Sequence, residues 1–315
     1  MGNGHNHSHG KNKRTLKIAF LITTLFMAVE AIGGWLTNSL ALLADAGHML
    51  SDSVSLGVGV LAFTLGERAA DYSKTYGYKR FEILAAVFNG ATLVLISLYI
   101  FYEAFQRFWD PPEVASEGML AIAVAGLAVN LLVAWILMRG GDTRENLNLR
   151  AAFLHVLSDM LGSVGAIIAA LLILFFGWSL ADPLASIAVA VLVLLSGWRV
   201  TKEAIHVLME GTPRNVEIDQ VIGAIEAIPG IANVHDLHIW SITSGQNAMS
   251  GHVVVEKGIS FDECQPLLRQ IEEAMAEQKI GHVTIQLENQ EHPHSEAAIC
   301  QNSGQLEEAH YHEHH

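Results

Sequence analysis

The chain is poor in cysteine, in charge and, over its last third, in positive charge, and each shortage closes off a class of protein. Two cysteines in 315 residues, Cys264 and Cys300, are too few for a disulfide framework. Charged residues make up 16% against 51% hydrophobic, which does not suit a soluble acidic protein even though the net charge is −14. The contradiction disappears when the chain is divided. Residues 1–202 hold 14 acidic and 14 basic side chains and are neutral, whereas residues 203–315 hold 18 acidic and 4 basic ones and carry the whole −14. A uniform globular domain is excluded, and so is a nucleic-acid binder, which needs a basic face to meet phosphates. No His-Glu-x-x-His segment occurs, so the helical zinc-protease arrangement is absent. What the chain has in excess is histidine, 16 in all.

Residues 1–202 contain repeated apolar stretches of membrane-spanning length, roughly 20 residues each. Six helices are predicted, over about 16–37, 39–65, 82–108, 117–138, 149–176 and 180–201, with turn-rich connectors such as Asp110-Pro111-Pro112 and Gly140-Gly141-Asp142. The first follows Lys11, Lys13, Arg14 and Lys17 as a signal peptide would. It is too long for one and lacks a small-residue cleavage site, so it reads as a retained helix. Thirteen basic residues lie in the N-terminal segment and the connectors that share its side, against Arg107 alone on the other. By the positive-inside rule both termini of this multi-pass protein are cytoplasmic, in the inner membrane if the host is bacterial. Both cysteines then face a reducing compartment.

Charged groups at mid-membrane cost about 2.5–3.5 kcal/mol each, so those inside the spans need a reason. The second helix contains Ala44-Asp45-Ala46-Gly47-His48-Met49-Leu50-Ser51-Asp52, and the fifth Ala151-Ala152-Phe153-Leu154-His155-Val156-Leu157-Ser158-Asp159. Both repeat His-x-Leu-Ser-Asp, which puts an imidazole and a carboxylate at i and i+4 on one helical face. At 1.5 Å per residue both pairs fall near the midplane of a core roughly 30 Å thick. Matched motifs on helices of opposite direction, one in each three-helix half, are the pattern of an inverted-repeat transporter with its site between the halves.

Two imidazoles and two carboxylates suit a tetrahedral divalent ion of borderline softness, zinc above all, so His48, Asp52, His155 and Asp159 are the candidate ligands. Two separate hydrogen-bonded polar pairs would explain one such motif well, but two identical motifs at matched depth poorly. Asp45, one turn before His48, either orients His48 or lines a water-filled vestibule. Glu30 and Asn130 line a proton or metal path or make interhelical hydrogen bonds. Gly57, Gly59, Gly162 and Gly165 permit close helix packing.

Residues 203–290 predict a small α+β domain of order αββαβ. A helix over Val216–Ala227 is stopped by Pro229-Gly230, and strands follow at about 231–242 and 248–256 around a turn at Gly245-Gln246-Asn247. A helix at 260–279 and a strand at 282–288 complete it. His235 and His238 are three apart on one strand and by period two face opposite sides, so a mononuclear site cannot use both without a bulge. The plain alternative pairs them with Asp236 or the backbone. Residues 1–15, with His5, His7 and His9, and residues 291–315, with six histidines and five glutamates, lack an apolar period and read as disordered, weakly metal-binding tails.

Six helices with His-x-x-x-Asp in the second and fifth, Asn38-Ser39-Leu40-Ala41-Leu42 leading into Asp45-Ala46-Gly47-His48, and Tyr78-Lys79-Arg80-Phe81-Glu82 after the second helix resemble the cation diffusion facilitators. The match is to their zinc/cadmium/cobalt efflux branch and covers about residues 15–290. It implies a homodimer with a six-helix transporter domain over 16–202 and a metallochaperone-like, ferredoxin-like cytoplasmic domain for regulation and dimerisation over 203–290. It implies divalent metal/proton antiport by alternating access, with the transported ion on His48, Asp52, His155 and Asp159. It also implies a cytoplasmic Zn2+ site drawn from His238, His252, His282 and Glu288, with His235 contributing across the dimer. Two departures stand out. The connector Asp71–Tyr78 has no histidine where some members bind an extra metal, and the fourth-to-fifth connector lacks the histidine-rich loop of some eukaryotic relatives.

Two other classes compete. An intramembrane metalloenzyme needs an open coordination position, which four protein ligands do not leave. A metal-gated channel needs weak binding, and a deep four-ligand site holds an ion too tightly for fast conduction. Because imidazole titrates near neutrality, protons and metal compete for the same lone pairs, which couples their fluxes.

Overall fold

The computed structural model describes residues 6–66, 70–140 and 147–290. In chain order these form α1 (Asn6–Thr37), α2 (Leu40–Gly66), α3 (Phe81–Trp109), α4 (Ser116–Gly140), α5 (Leu147–Phe176), α6 (Ala181–Leu208), α7 (Ile218–Glu226), β1 (Ile231–Thr243), β2 (Gln246–Val255), α8 (Phe261–Glu277) and β3 (Ile280–Glu288). The chain divides into two compact units, Met1–Leu61 with Ala85–Lys202 and Ala62–Leu84 with Glu203–His315.

Among the described residues, five segments are long and apolar enough to cross a membrane: Ile18–Thr37, Phe81–Trp109, Ser116–Met138, Asp159–Phe176 and Ala181–Leu208. The described apolar part of α2 is Leu40–Ser51. Bulky side chains such as Leu21, Leu25, Leu95, Leu161 and Leu195 point outward, as in a protein solvated by lipid. The interior is built from small ones, with Ala41, Ala123, Ala166, Ala169, Ala170 and Ala181 in one cluster. Without a hydrophobic force between helices in lipid, small residues let backbones approach closely enough for dispersion to hold them. Helix α1 begins at Asn6, ahead of the expected residue 16, because lysine and arginine extend a helix beyond its apolar stretch at little cost.

Helices α4 and α5 set the register on which the site depends. Ala123 of α4 shares one cluster with Ala166 of α5, and Val133 shares another with Val156. The helices therefore run antiparallel, with residues 126–130 of α4 level with 159–163 of α5. The start of α2 is held by a buried carboxylate from α6. Asp182 accepts hydrogen bonds from the Ser39 hydroxyl at 2.7 Å and the N–H groups of Leu40 and Ala41 at 2.8 and 3.1 Å. It thus satisfies orphan donors of the first turn of α2.

In the second unit, β1, β2 and β3 form a three-stranded sheet in that order, β1 antiparallel and β3 parallel to β2. Val221 and Ile225 of α7 and Leu267, Ile271 and Met275 of α8 pack on Leu237, Ile239, Met249 and Val253. The hairpin turn is Ser244-Gly245, with Gly245 at φ +75°, rather than Gly245–Asn247. Asn247 is drawn into β2, where it is buried, accepts from Ser241 and donates to the Lys279 carbonyl at 3.1 Å. The Tyr78–Glu82 segment docks in this same unit. Lys79 donates to Gln246 at 2.6 Å, Arg80 pairs with Glu210 at 3.2 Å, and Glu82 accepts from Thr243 and Ser244.

Candidate metal-binding sites

Two of the transmembrane candidates, His48 and Asp159, meet between α2 and α5. His48 Nε2 stands 3.8 Å from Asp159 Oδ1, with the Asp159 side chain almost fully buried. One turn earlier on α2, the buried Asp45 faces Gly162, where a β-carbon would come within 2.6 Å of Asp45 Oδ1. A step of three residues along α2 thus matches a step of three back along α5, which defines an antiparallel register. Continued by one turn, that register brings position 52 of α2 level with position 155 of α5. The side chains of Asp52 and His155 lie outside the described residues, as does any account of Gly57 and Gly59. Gly165 has open space where its β-carbon would be.

The C-terminal candidates divide into two places. His235 on β1, His252 on β2 and Glu288 on β3 bring one ligand atom each within 4.8 Å of one another. Glu288 lies 3.3 Å from His235 Nε2 and 2.9 Å from His252 Nδ1, and the two imidazoles meet edge to face. His235 and Glu288 are buried; His252 opens to one side. Strand β1 carries a bulge between His235 and His238, with Asp236 at φ +47°. Aspartate tolerates this left-handed conformation better than most residues, and the extra residue re-aims the side chains around it. Asp236 then reaches both His238 at 3.2 Å and His252 at 3.7 Å. His235 thus joins His252 and Glu288 within one chain. His282, in register with Ala248, packs its ring on Tyr76 and is not part of this group.

In the connector, the Asp71 carboxylate accepts from the Ser73 and Tyr78 hydroxyls and from the N–H groups of Ser73 and Lys74. These bonds hold its pKa down to about 2 and commit its oxygens to the loop.

Residues 16–209 match the family described as the cation efflux transmembrane domain, and residues 213–290 that of the cation efflux protein, cytoplasmic domain. The chain belongs to the cation diffusion facilitator family. It is 61% identical to a cadmium, cobalt and zinc/H(+)-K(+) antiporter of Bacillus subtilis over 98% of this chain and 99% of that protein. It is 44% identical to the zinc transporter ZitB of Escherichia coli over 91% and 93% of the two chains. It is 42% identical to the metal cation efflux system protein CzcD of Cupriavidus metallidurans over 91% and 90%.

Within this facilitator fold, one pair escaped sequence reasoning. Arg107 near the end of α3 places Nη1 3.4 Å from Asp182 Oδ2, and also binds the Asn38 carbonyl at 2.7 Å and Glu103 at 3.1 Å. The pair fixes the start of α2, two turns before His48. Its one signal in the sequence is that Arg107 is the lone basic residue of the three alternate connectors. The tail histidines His5 and those of residues 291–315, like Cys300, lie outside the described residues. His206 bonds the Thr212 carbonyl at 2.9 Å.

Proposed function

We propose that this chain exports zinc, and with it cadmium and cobalt, from the cytoplasm in exchange for protons, using His48, Asp52, His155 and Asp159 as the transport site. The observation that carries the reading is the approach of His48 on α2 to Asp159 on α5, since it joins the two repeated motifs across one helix interface. The α2–α5 register supports the rest by bringing positions 52 and 155 to the next level. Two imidazoles and two carboxylates match zinc in softness and coordination number, and the carboxylates offset the ion's charge in a dry place. Loading needs neutral imidazole, so a proton arriving from the far side displaces the metal and returns with the site. The Bacillus relatives are named for potassium as well as protons. We extend that to this chain, with potassium as a second counter-ion.

His235, His252 and Glu288 fit a resident zinc ion, being two nitrogens and a carboxylate within reach of one centre in a buried place. Bound there, Zn2+ would tie all three strands together, with Asp236 orienting His238 and His252 beside it. The dimer, with both termini cytoplasmic, completes the reading. Its test is proton-driven uptake into pH-loaded vesicles, with zinc, cadmium, cobalt, nickel, manganese and iron compared side by side. Zinc, cadmium and cobalt are expected to lead, and a strong preference for manganese or iron would overturn the assignment.

A further inference from the structure

At the His48–Asp159 layer and the turn next to it lies a second group of buried polar side chains that zinc binding does not use. Glu30 on α1 is 1% exposed, Asn130 on α4 is 2% and Ser163 on α5 is 1%. Glu30 Oε2, Asn130 Oδ1 and Ser163 Oγ each make no hydrogen bond among the described residues. Unmet oxygens in a lipid-solvated core are costly, and three of them at one helix junction call for an occupant.

The three stand on α1, α4 and α5, helices that pack on one another. A β-carbon on Gly126 of α4 would lie 2.8 Å from Glu30 Oε1, so α4 has made room for this carboxylate. Asn130 follows Gly126 by one turn on the same face. Ser163 lies on the α5 face that carries Asp159 and Ala166, and the clusters that α4 and α5 share, Ala123 with Ala166 and Val133 with Val156, put it about level with Gly126. Glu30 is also within electrostatic reach of Asp45 and Asp159. Arg107 is the one buried arginine or lysine among the described residues, and it is committed to Asp182, Glu103 and Asn38.

We infer that Glu30, Asn130 and Ser163 form a second cation site, one that takes a hard monovalent ion of the potassium type. The donor set decides the class. It is all oxygen (carboxylate, amide and hydroxyl), which suits alkali ions and not the borderline-soft metal bound by the imidazoles next door. A site for protons alone would need just the carboxylate, whereas an amide and a hydroxyl oxygen add coordination and neither gain nor lose a proton near neutral pH. The inference rests on the proposed antiport and gives its potassium limb a location. Occupied, the site would screen Asp45 and Asp159 and so change the transport site's hold on zinc.

The test uses the full-length protein in proteoliposomes under one imposed pH gradient, with potassium or choline as the bulk cation and an entrapped zinc indicator. The ratio of zinc flux in potassium to that in choline is read for wild type, Glu30→Gln, Ser163→Ala and Asn130→Ala. In parallel, KCl and choline chloride are titrated against the melting temperature of each protein in detergent, which needs no turnover. The wild type is expected to show a ratio of several-fold and a saturable rise in melting temperature specific to potassium. In the variants the ratio falls towards 1 and the saturable rise is lost. A wild-type ratio of 1 with no potassium-specific rise, or variants that respond like the wild type, would overturn the site. Loss of all proton-driven zinc flux in the wild type would instead defeat the underlying antiport reading, while the melting titration still decides whether potassium binds.

Discussion

Arg107 and Asp182, 75 residues apart in the chain, meet in a place where Asp182 has no solvent exposure at all. The pair is satisfied on both sides, since Asp182 also caps α2 and Arg107 also binds the Asn38 carbonyl. Removing one partner leaves a buried charge without its counterpart, which costs roughly 3–5 kcal/mol. Asp182→Ala is therefore expected to lower the melting temperature of the detergent-solubilised protein markedly and to lower zinc flux with it, because α2 loses its anchor. Asp182→Asn, which keeps one acceptor oxygen, should lose less. An unchanged melting temperature for Asp182→Ala would show that the pair does not hold α2.

Two glycines three residues apart on α5 should respond oppositely. Gly162→Ala would place a methyl group 2.6 Å from Asp45 Oδ1, so α2 and α5 must separate. Misplacing ligands by a fraction of an ångström is expected to cut zinc flux by on the order of tenfold or more. Gly165→Ala meets open space and gains about 0.5–1 kcal/mol of helix stability. Flux and melting temperature measured on both variants check the contrast, and equal flux in the two would refute it.

The C-terminal cluster predicts a split among its histidines. His235→Ala or Glu288→Gln should weaken zinc binding outside the transport site by at least about tenfold. His282→Ala should leave it intact, since His282 sits against Tyr76. Zinc content of full-length Asp159→Ala protein after competition with a chelator reads this site with the transport site disabled. If His282→Ala released as much zinc as His235→Ala, the ligands would be assigned wrongly.

Asp71 titrates far from the ordinary carboxylate range, at about 2 against 3.8, because Ser73, Tyr78 and Lys74 donate to its charged form. Its folded pKa lies below the unfolded one. The loop therefore gains from these bonds above about pH 4 and loses them as pH falls through about 2. The carboxyl carbon resonance of selectively labelled Asp71 should move with a midpoint near 2, and Ser73→Ala should raise that midpoint. A midpoint at the ordinary value would mean the bonds do not form in solution.

The helices of the first unit could be read from apolar runs because lipid demands a length, and α2 and α5 announced themselves through polar residues that lipid penalises. Boundaries were less legible. Hydropathy says nothing of where the basic start of α1 or the polar end of α6 stops being helical. In β1, period two sends His235 and His238 to opposite sides unless a bulge intervenes, and the strand carries a bulge between them. The bulge itself follows from Asp236 adopting a left-handed conformation, which no local pattern marks. Asn247 looked like a turn residue, yet contacts to Ser241 and Lys279, one of them 32 residues away, pull it into the strand. The Arg107–Asp182 pair was hidden for the same reason: its partners meet through tertiary packing alone.

The central claim is that the two repeated motifs form one transport site. Proton-driven zinc flux in proteoliposomes, measured for Asp52→Ala and Asp159→Ala beside the wild type and Gly165→Ala, tests it most directly. The account predicts that either aspartate variant abolishes proton-coupled flux while remaining folded and inserted. Full transport by either one would contradict it.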